Sequence, residues 1–80
     1  MKLYLLTQEV NTGYDTYDSM VVCAASQDDA KQFHPDGGVI EDWSWSHAWA
    51  KDVNHVNCVE IGEASPDQKP GTIIASFNAG

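Results

Sequence analysis

Four short runs of apolar residues alternate with polar segments rich in Gly, Asn, Asp and Pro along the chain. The runs cover residues 2–7, 20–24, 56–61 and 72–77, and each has the length and the β-branched or aromatic content of a strand. The first two runs are apolar on both faces, which is typical of central strands in a sheet. The pattern therefore predicts a sheet of about four strands.

A short helix is predicted directly after the second strand. Ser26 has N-cap chemistry, and the Gln-Asp-Asp stretch at 27–29 puts acids in the first turn, where the helix dipole favours negative charge. Ala30 and Phe33 would form the apolar face of a helix of about two turns. The His-Pro-Asp-Gly-Gly stretch at 34–38 ends it, because proline cannot continue a helix and glycine allows turn conformations.

The segment 39–53 gives conflicting signals. Trp43 and Trp45 alternate as they would in a strand, whereas Trp45 and Trp49 have the spacing of one helix face. We therefore treat this stretch as an irregular aromatic segment and leave its conformation open.

The predicted order of elements is β-β-α, then the aromatic segment, then β-β. Strands separated by turns, with a single helix among them, favour an antiparallel sheet. We therefore predict an α+β fold in which one short helix covers one face of a small antiparallel sheet. Residues 1–80 should form a single domain, since a chain of this length supports one core.

The charge balance is strongly acidic. The chain has twelve Asp plus Glu against four Lys and no Arg, so its formal net charge is −8. Such a chain is repelled by phosphate backbones and by anionic membrane surfaces, which excludes direct nucleic-acid binding and membrane binding as favoured functions. Basic protein surfaces are the favoured partners. The alternative is that the charge serves solubility alone.

The two cysteines, Cys23 and Cys58, both lie in apolar runs. Small secreted domains usually carry more cysteines in a disulfide framework, so we expect two reduced thiols in the core. A single disulfide stays open, and it requires the second and third strands to be neighbours. The chain opens without a basic stretch followed by an apolar one, and no run approaches the about 20 apolar residues of a membrane span, so we expect a cytoplasmic location.

No motif points to a reaction. The histidines, His34, His47 and His55, lack the spacing of zinc ligands, and there is no nucleophile elbow or phosphate loop. The thiols are predicted to lie in apolar strands, where burial suppresses their reactivity. We therefore expect no enzymatic activity, no metal and no cofactor. A small metal-binding protein or enzyme that uses the histidines is the alternative.

Two groups of aromatic residues lie among acids in the predicted loops. The candidate binding residues are Tyr14, Asp15, Tyr17 and Asp18 in the first loop, and Glu41, Asp42, Trp43 and Trp45 in the aromatic segment. Tyr and Trp are enriched at binding hot spots, and carboxylates around them favour partners rich in Lys and Arg. The alternative for the tryptophans is core packing, because a small domain needs large side chains to fill its interior.

Both ends of the chain resemble a group of short, uncharacterised phage and prophage proteins. The resemblance is carried by the opening MKLYLLTQEVNTGYDTYDSMVV, by the helix start at 26–30, by the IGEA stretch at 61–64 and by the ending IIASFNAG. It implies a setting of bacterial mobile elements, and by analogy an inhibitor of a host defence machine, such as an anti-CRISPR protein.

The functional hypothesis is therefore a phage or prophage accessory protein that binds and inhibits a basic, nucleic-acid-handling host complex. It would dock through its acidic, aromatic surface. The alternative is a structural or self-associating module of a mobile element without an inhibitory role, for example a homodimer formed through the sheet edge or the Trp segment.

Overall fold

The computed structural model describes residues 1–43 and 48–79. Its strands are β1 (Lys2–Thr7), β2 (Thr16–Ala24), β3 (Asn57–Glu63) and β4 (Gly71–Asn78). They form one antiparallel sheet of four strands in the order β3-β1-β2-β4. The predicted antiparallel sheet is confirmed, and the two strands that are apolar on both faces lie at its centre.

Strand β2 begins earlier than the sequence pattern indicates. It starts at Thr16, so Tyr17 and Asp18 belong to a strand and the prediction that they lie in the first loop was wrong. Tyr17 pairs with Phe77 and Ser19 pairs with Ser76, which leaves Asp18 as an extra residue in a β-bulge. A bulge breaks the alternation of apolar and polar positions, and this break hid the start of the strand.

Helix α1 (Gln27–Ala30) begins where the sequence predicts. The Ser26 Oγ accepts a hydrogen bond from the Asp29 N–H at 3.2 Å, as an N-cap does. The helix is four residues long, shorter than the predicted two turns, because Phe33 already pairs with Val39 across a tight turn. The fold is thus α+β in the coarse sense and consists mostly of sheet.

One face of the sheet carries the core. Buried side chains from the two central strands, among them Leu6 and Val22, pack against Ile40, Trp49 and Val56. These three belong to the described residues between α1 and β3, 31–43 and 48–56, which we call the covering segment. Trp49 is fully buried and forms part of this core. A 3-10 helix at Val53–His55 leads from this covering segment into β3.

The opposite face of the sheet carries a row of apolar side chains, one from each strand. Leu5 lies between Val59 of β3 and Val21 of β2, and Val21 pairs in turn with Ile74 of β4. Leu5, Val59 and Ile74 are exposed on this face. The covering segment lies on the core side, so the row forms an open apolar stripe across the sheet.

The two cysteines lie on opposite faces of the sheet. Cys23 pairs with Leu3, whereas Cys58 pairs with the core residue Leu6, and β1 separates their strands. The condition for a disulfide is not met, and both thiols are free. In the described part of the chain, no helix has the length and apolar character needed to cross a membrane.

Candidate functional site

Two of the exposed sequence-predicted binding residues, Tyr14 and Asp15, lie at one end of the sheet. The strand pairing brings Thr7, Thr16, Asn57 and Asn78 to this end, since Thr7 pairs with Asn57 and Thr16 pairs with Asn78. The connection between β1 and β2, residues 8–15, projects from the same end and is called the Tyr14 loop below.

A buried glutamine organises the Tyr14 loop. The Gln8 Nε2 donates to the carbonyls of Asn11 and Tyr17, both at 2.7 Å, and its Oε1 accepts from the N–H groups of Val10 at 3.0 Å and Asn11 at 2.8 Å. The amide thereby uses both of its donors and both acceptor positions. Asn11 is tied to the core as well, because its Nδ2 donates to the Trp49 carbonyl at 3.1 Å. The loop is therefore held from within.

Further hydrogen bonds anchor the tip of the loop. The Thr16 Oγ1 donates to the Gly13 carbonyl at 2.7 Å, and the Asp15 N–H donates to the Asn78 carbonyl at 2.6 Å. Asp15 has a φ of 58°, in the left-handed region, where Asp and Asn are better tolerated than most residues. These contacts fix the backbone on both sides of Tyr14.

Tyr14 is displayed at the rim of an open groove. Its side chain is 81% exposed, the highest value among the large apolar and aromatic residues that the structure describes as exposed. The groove has a volume of about 680 Å³ and is lined by Thr12, Gly13, Tyr14, Phe77, Asn78 and Ala79. Two aromatic side chains, Tyr14 and Phe77, thus lie at a groove with Asp15 directly adjacent in sequence.

The other two candidate binding residues of this region, Tyr17 and Asp18, are half-buried. The Tyr17 ring is half-buried and packs on Phe77, with ring centroids 4.8 Å apart, and its second neighbour is the buried ring of His34 at 6.2 Å. Asp18 is half-buried, and its Oδ1 accepts from the Ser19 Oγ at 3.0 Å. Tyr17 therefore supports the wall of the groove from behind.

The candidates of the aromatic segment lie on a different part of the chain. Glu41 and Asp42 are exposed directly after Ile40, whose N–H donates to the Gln32 carbonyl at 2.6 Å. Trp43 is half-buried against the core, as the alternative of core packing predicts. Trp45 lies outside the described residues, so its predicted role stays a prediction.

The titratable groups do not assemble into a metal site within the described residues, where no three His, Cys, Asp or Glu side chains come together. His34 is buried, with its Nδ1 3.0 Å from the Asp36 backbone nitrogen, and His55 is exposed in the 3-10 helix. His47 lies outside the described residues. Burial raises the pKa of the Cys58 thiol, which lowers its reactivity at neutral pH.

Comparison of the chain with known protein families, with curated proteins and with solved structures found no match. The resemblance to phage and prophage proteins therefore stays a prediction from the sequence.

Proposed function

We propose that the protein is a non-enzymatic, anti-CRISPR-like inhibitor that docks its Tyr14 end on a basic surface of a nucleic-acid-handling host complex. The observation that carries the proposal is the exposed Tyr14 on a loop that hydrogen bonds of the buried Gln8 and Thr16 side chains hold in place. Exposed tyrosines on ordered loops are favourable binding anchors, because little conformational entropy is lost when they are covered.

The groove suits a cationic side chain. The faces of aromatic rings attract Lys and Arg cations, and Tyr14 and Phe77 both line the groove. The carboxylate of Asp15, next to Tyr14 in the chain, adds a negative charge nearby. A Lys or Arg that enters the groove would therefore meet aromatic rings there, with a negative charge on the neighbouring residue of the loop.

The net charge favours the same partner. A molecule with a net charge of −8 is steered towards positive surfaces, and the rate of association rises with that attraction. Nucleic-acid-handling complexes expose Lys and Arg where phosphates bind. An acidic protein that covers these side chains would block the nucleic acid from them, which is the inhibition we propose.

The test is capture of a host complex from bacterial lysate by the tagged protein, followed by mass spectrometry and high-salt washes. Ionic contacts weaken at high salt, since the screening length falls from about 10 Å at 0.1 M to about 3 Å at 1 M. We expect recovery of a nucleic-acid-handling complex that high salt releases. A purified complex should then lose its nucleic-acid binding when the protein is added.

A matched pair of variants separates the Tyr14 end from general charge. Asp15→Asn with Glu9→Lys removes two exposed acids from the Tyr14 loop, and the asparagine keeps a residue that tolerates positive φ. Asp67→Asn with Asp28→Lys changes the net charge equally on exposed positions towards the other end of the sheet. We expect capture to be lost with the first pair and retained with the second, and Tyr14→Ser should weaken it as well. Equal losses from both pairs would contradict a docking site at the Tyr14 end.

A further inference from the structure

The two edges of the sheet differ in charge. The edge strand β3 carries Glu60 and Glu63, and the Glu63 carboxylate pairs with Lys2 Nζ at 2.8 Å. Its pairing with β1 is also interrupted by a bulge at Ile61. Charges and bulges on an edge strand oppose the addition of another strand, because they make the edge a poor template.

The other edge strand, β4, has no such charges. Its eight residues from Gly71 to Asn78 include no Asp, Glu, Lys or Pro, and Ile73, Ile74 and Phe77 are exposed. Two bulges interrupt its pairing with β2, one at Ile73 near the Gly71 end and the other at Asp18 of β2 near the Phe77 end. Among the described residues β4 pairs with β2 on one side alone, so its other side presents backbone donors and acceptors to solvent.

We propose that two copies of the protein pair through β4, antiparallel, to form one continuous sheet across a two-fold axis. Two molecules with a net charge of −8 repel each other. Strand β4 contains no charged residue, so pairing two β4 strands brings no like charges of these strands together. The acid-bearing β3 edges resist further addition, so the assembly closes as a dimer.

The apolar row on the open face supports the same arrangement. Ile74 ends the row that starts at Val59, and it is 66% exposed. In antiparallel pairing about a two-fold axis perpendicular to the sheet, the partner's Ile74 lies on the same face. The row then continues from one copy into the other, and its most exposed member gains an apolar neighbour.

The dimer should be weak. One added strand covers less than the about 1,200–2,000 Å² that stable interfaces bury. The association therefore has to be measured over a concentration series, by sedimentation equilibrium of the full chain. Hydrogen exchange of the backbone amides, measured over the same series, reports which edge is covered.

Two isoleucines on opposite edges provide the matched variants. Ile74→Lys places like charges on both copies at the β4 edge, while Ile61→Lys makes the same change on β3, where Ile61 is 51% exposed. We expect wild type and Ile61→Lys to dimerise with rising concentration and Ile74→Lys to stay monomeric. Ser76 is an exposed polar residue of β4, so Ser76→Lys should also give a monomer. This variant provides the same test if Ile74→Lys does not fold.

The exchange data should show amides of residues 71–78 becoming slower with concentration in the wild-type protein, with those of residues 57–63 unchanged. A wild-type protein that stays monomeric at its highest soluble concentration would overturn the proposal. A second result would also overturn the proposal: Val59→Lys abolishes the dimer as completely as Ile74→Lys does, and the β4 amides of the wild-type protein do not become slower to exchange. That result would indicate that the copies pack through the open face of the sheet.

Discussion

Replacing Gln8 by leucine should show how strongly the Tyr14 loop depends on a single buried amide. The leucine has a similar size, but it removes every hydrogen bond that the amide makes. The carbonyls of Asn11 and Tyr17 and the N–H groups of Val10 and Asn11 then lose their partner. All four bonds are part-buried, and a backbone group that loses its partner away from water is costly.

The magnitude follows from the number of bonds. Four hydrogen bonds at a net value of about 1 kcal/mol each give a loss of about 4 kcal/mol in the free energy of unfolding. Relaxation of the loop, which lets water reach some of these groups, reduces the expected loss to about 2–4 kcal/mol. A single core of this size supplies about 3–5 kcal/mol in total, so Gln8→Leu should leave the protein marginally folded.

The assay is urea unfolding followed by tryptophan fluorescence, with Gln68→Leu as the control. Gln68 is exposed and its Nε2 makes one bond, to the Lys69 carbonyl at 3.2 Å, so this variant should stay within about 0.5 kcal/mol of wild type. Equal stability of Gln8→Leu and Gln68→Leu would refute the role of Gln8.

Three further predictions concern single residues. Asp15 has a φ of 58°, so Asp15→Asn should leave the urea midpoint unchanged, whereas Asp15→Val should cost about 1–2 kcal/mol of unfolding free energy. The hydrogen bond and charge of Lys2 hold the pKa of the Glu63 carboxyl below its usual value, so Lys2→Met should raise it in an NMR titration. The stabilisation from the Lys2–Glu63 pair is complete at pH values above the ordinary pKa of a glutamate. It is lost as the pH falls through the lowered pKa of Glu63 in the folded protein. Cys58, half-buried with a raised pKa, should be alkylated slowly at neutral pH, and the fully buried Cys23 only after unfolding, as intact mass would show.

The strands and the start of the helix were predictable because their signals are local. An apolar run bounded by turn residues needs no knowledge of its neighbours, and β1 was predicted with the bounds that the structure gives it. Ser26 likewise caps a helix through a bond to Asp29, three residues away. The length of the helix could not be predicted from local signals, because the pairing of Phe33 with Val39 limits it.

The anchoring of the candidate site could not be predicted in the same way. Gln8 follows a strand as any polar loop residue would, and its role depends on carbonyls that the fold brings to it. The contribution of Phe77 to the groove depends on the order of the strands, which places the end of β4 beside the start of β2. The display of Tyr14 was predicted, but the reason for its fixed position was not.

The two proposed surfaces meet at Phe77, and this predicts that they compete. Phe77 lines the groove beside Tyr14 and also lies in β4. In an antiparallel β4 pair, the Gly71 end of one copy lies beside the Phe77 end of the other, so the dimer narrows access to the groove. By thermodynamic linkage, a basic partner that needs the open groove should dissociate the dimer, and the monomeric variant Ile74→Lys should bind this partner at lower concentration than wild type does. Titration of both proteins with the captured complex, above and below the dimer dissociation constant, checks this. Equal affinity of wild type and Ile74→Lys at every concentration would mean that the groove stays open in the dimer and that the two surfaces act independently.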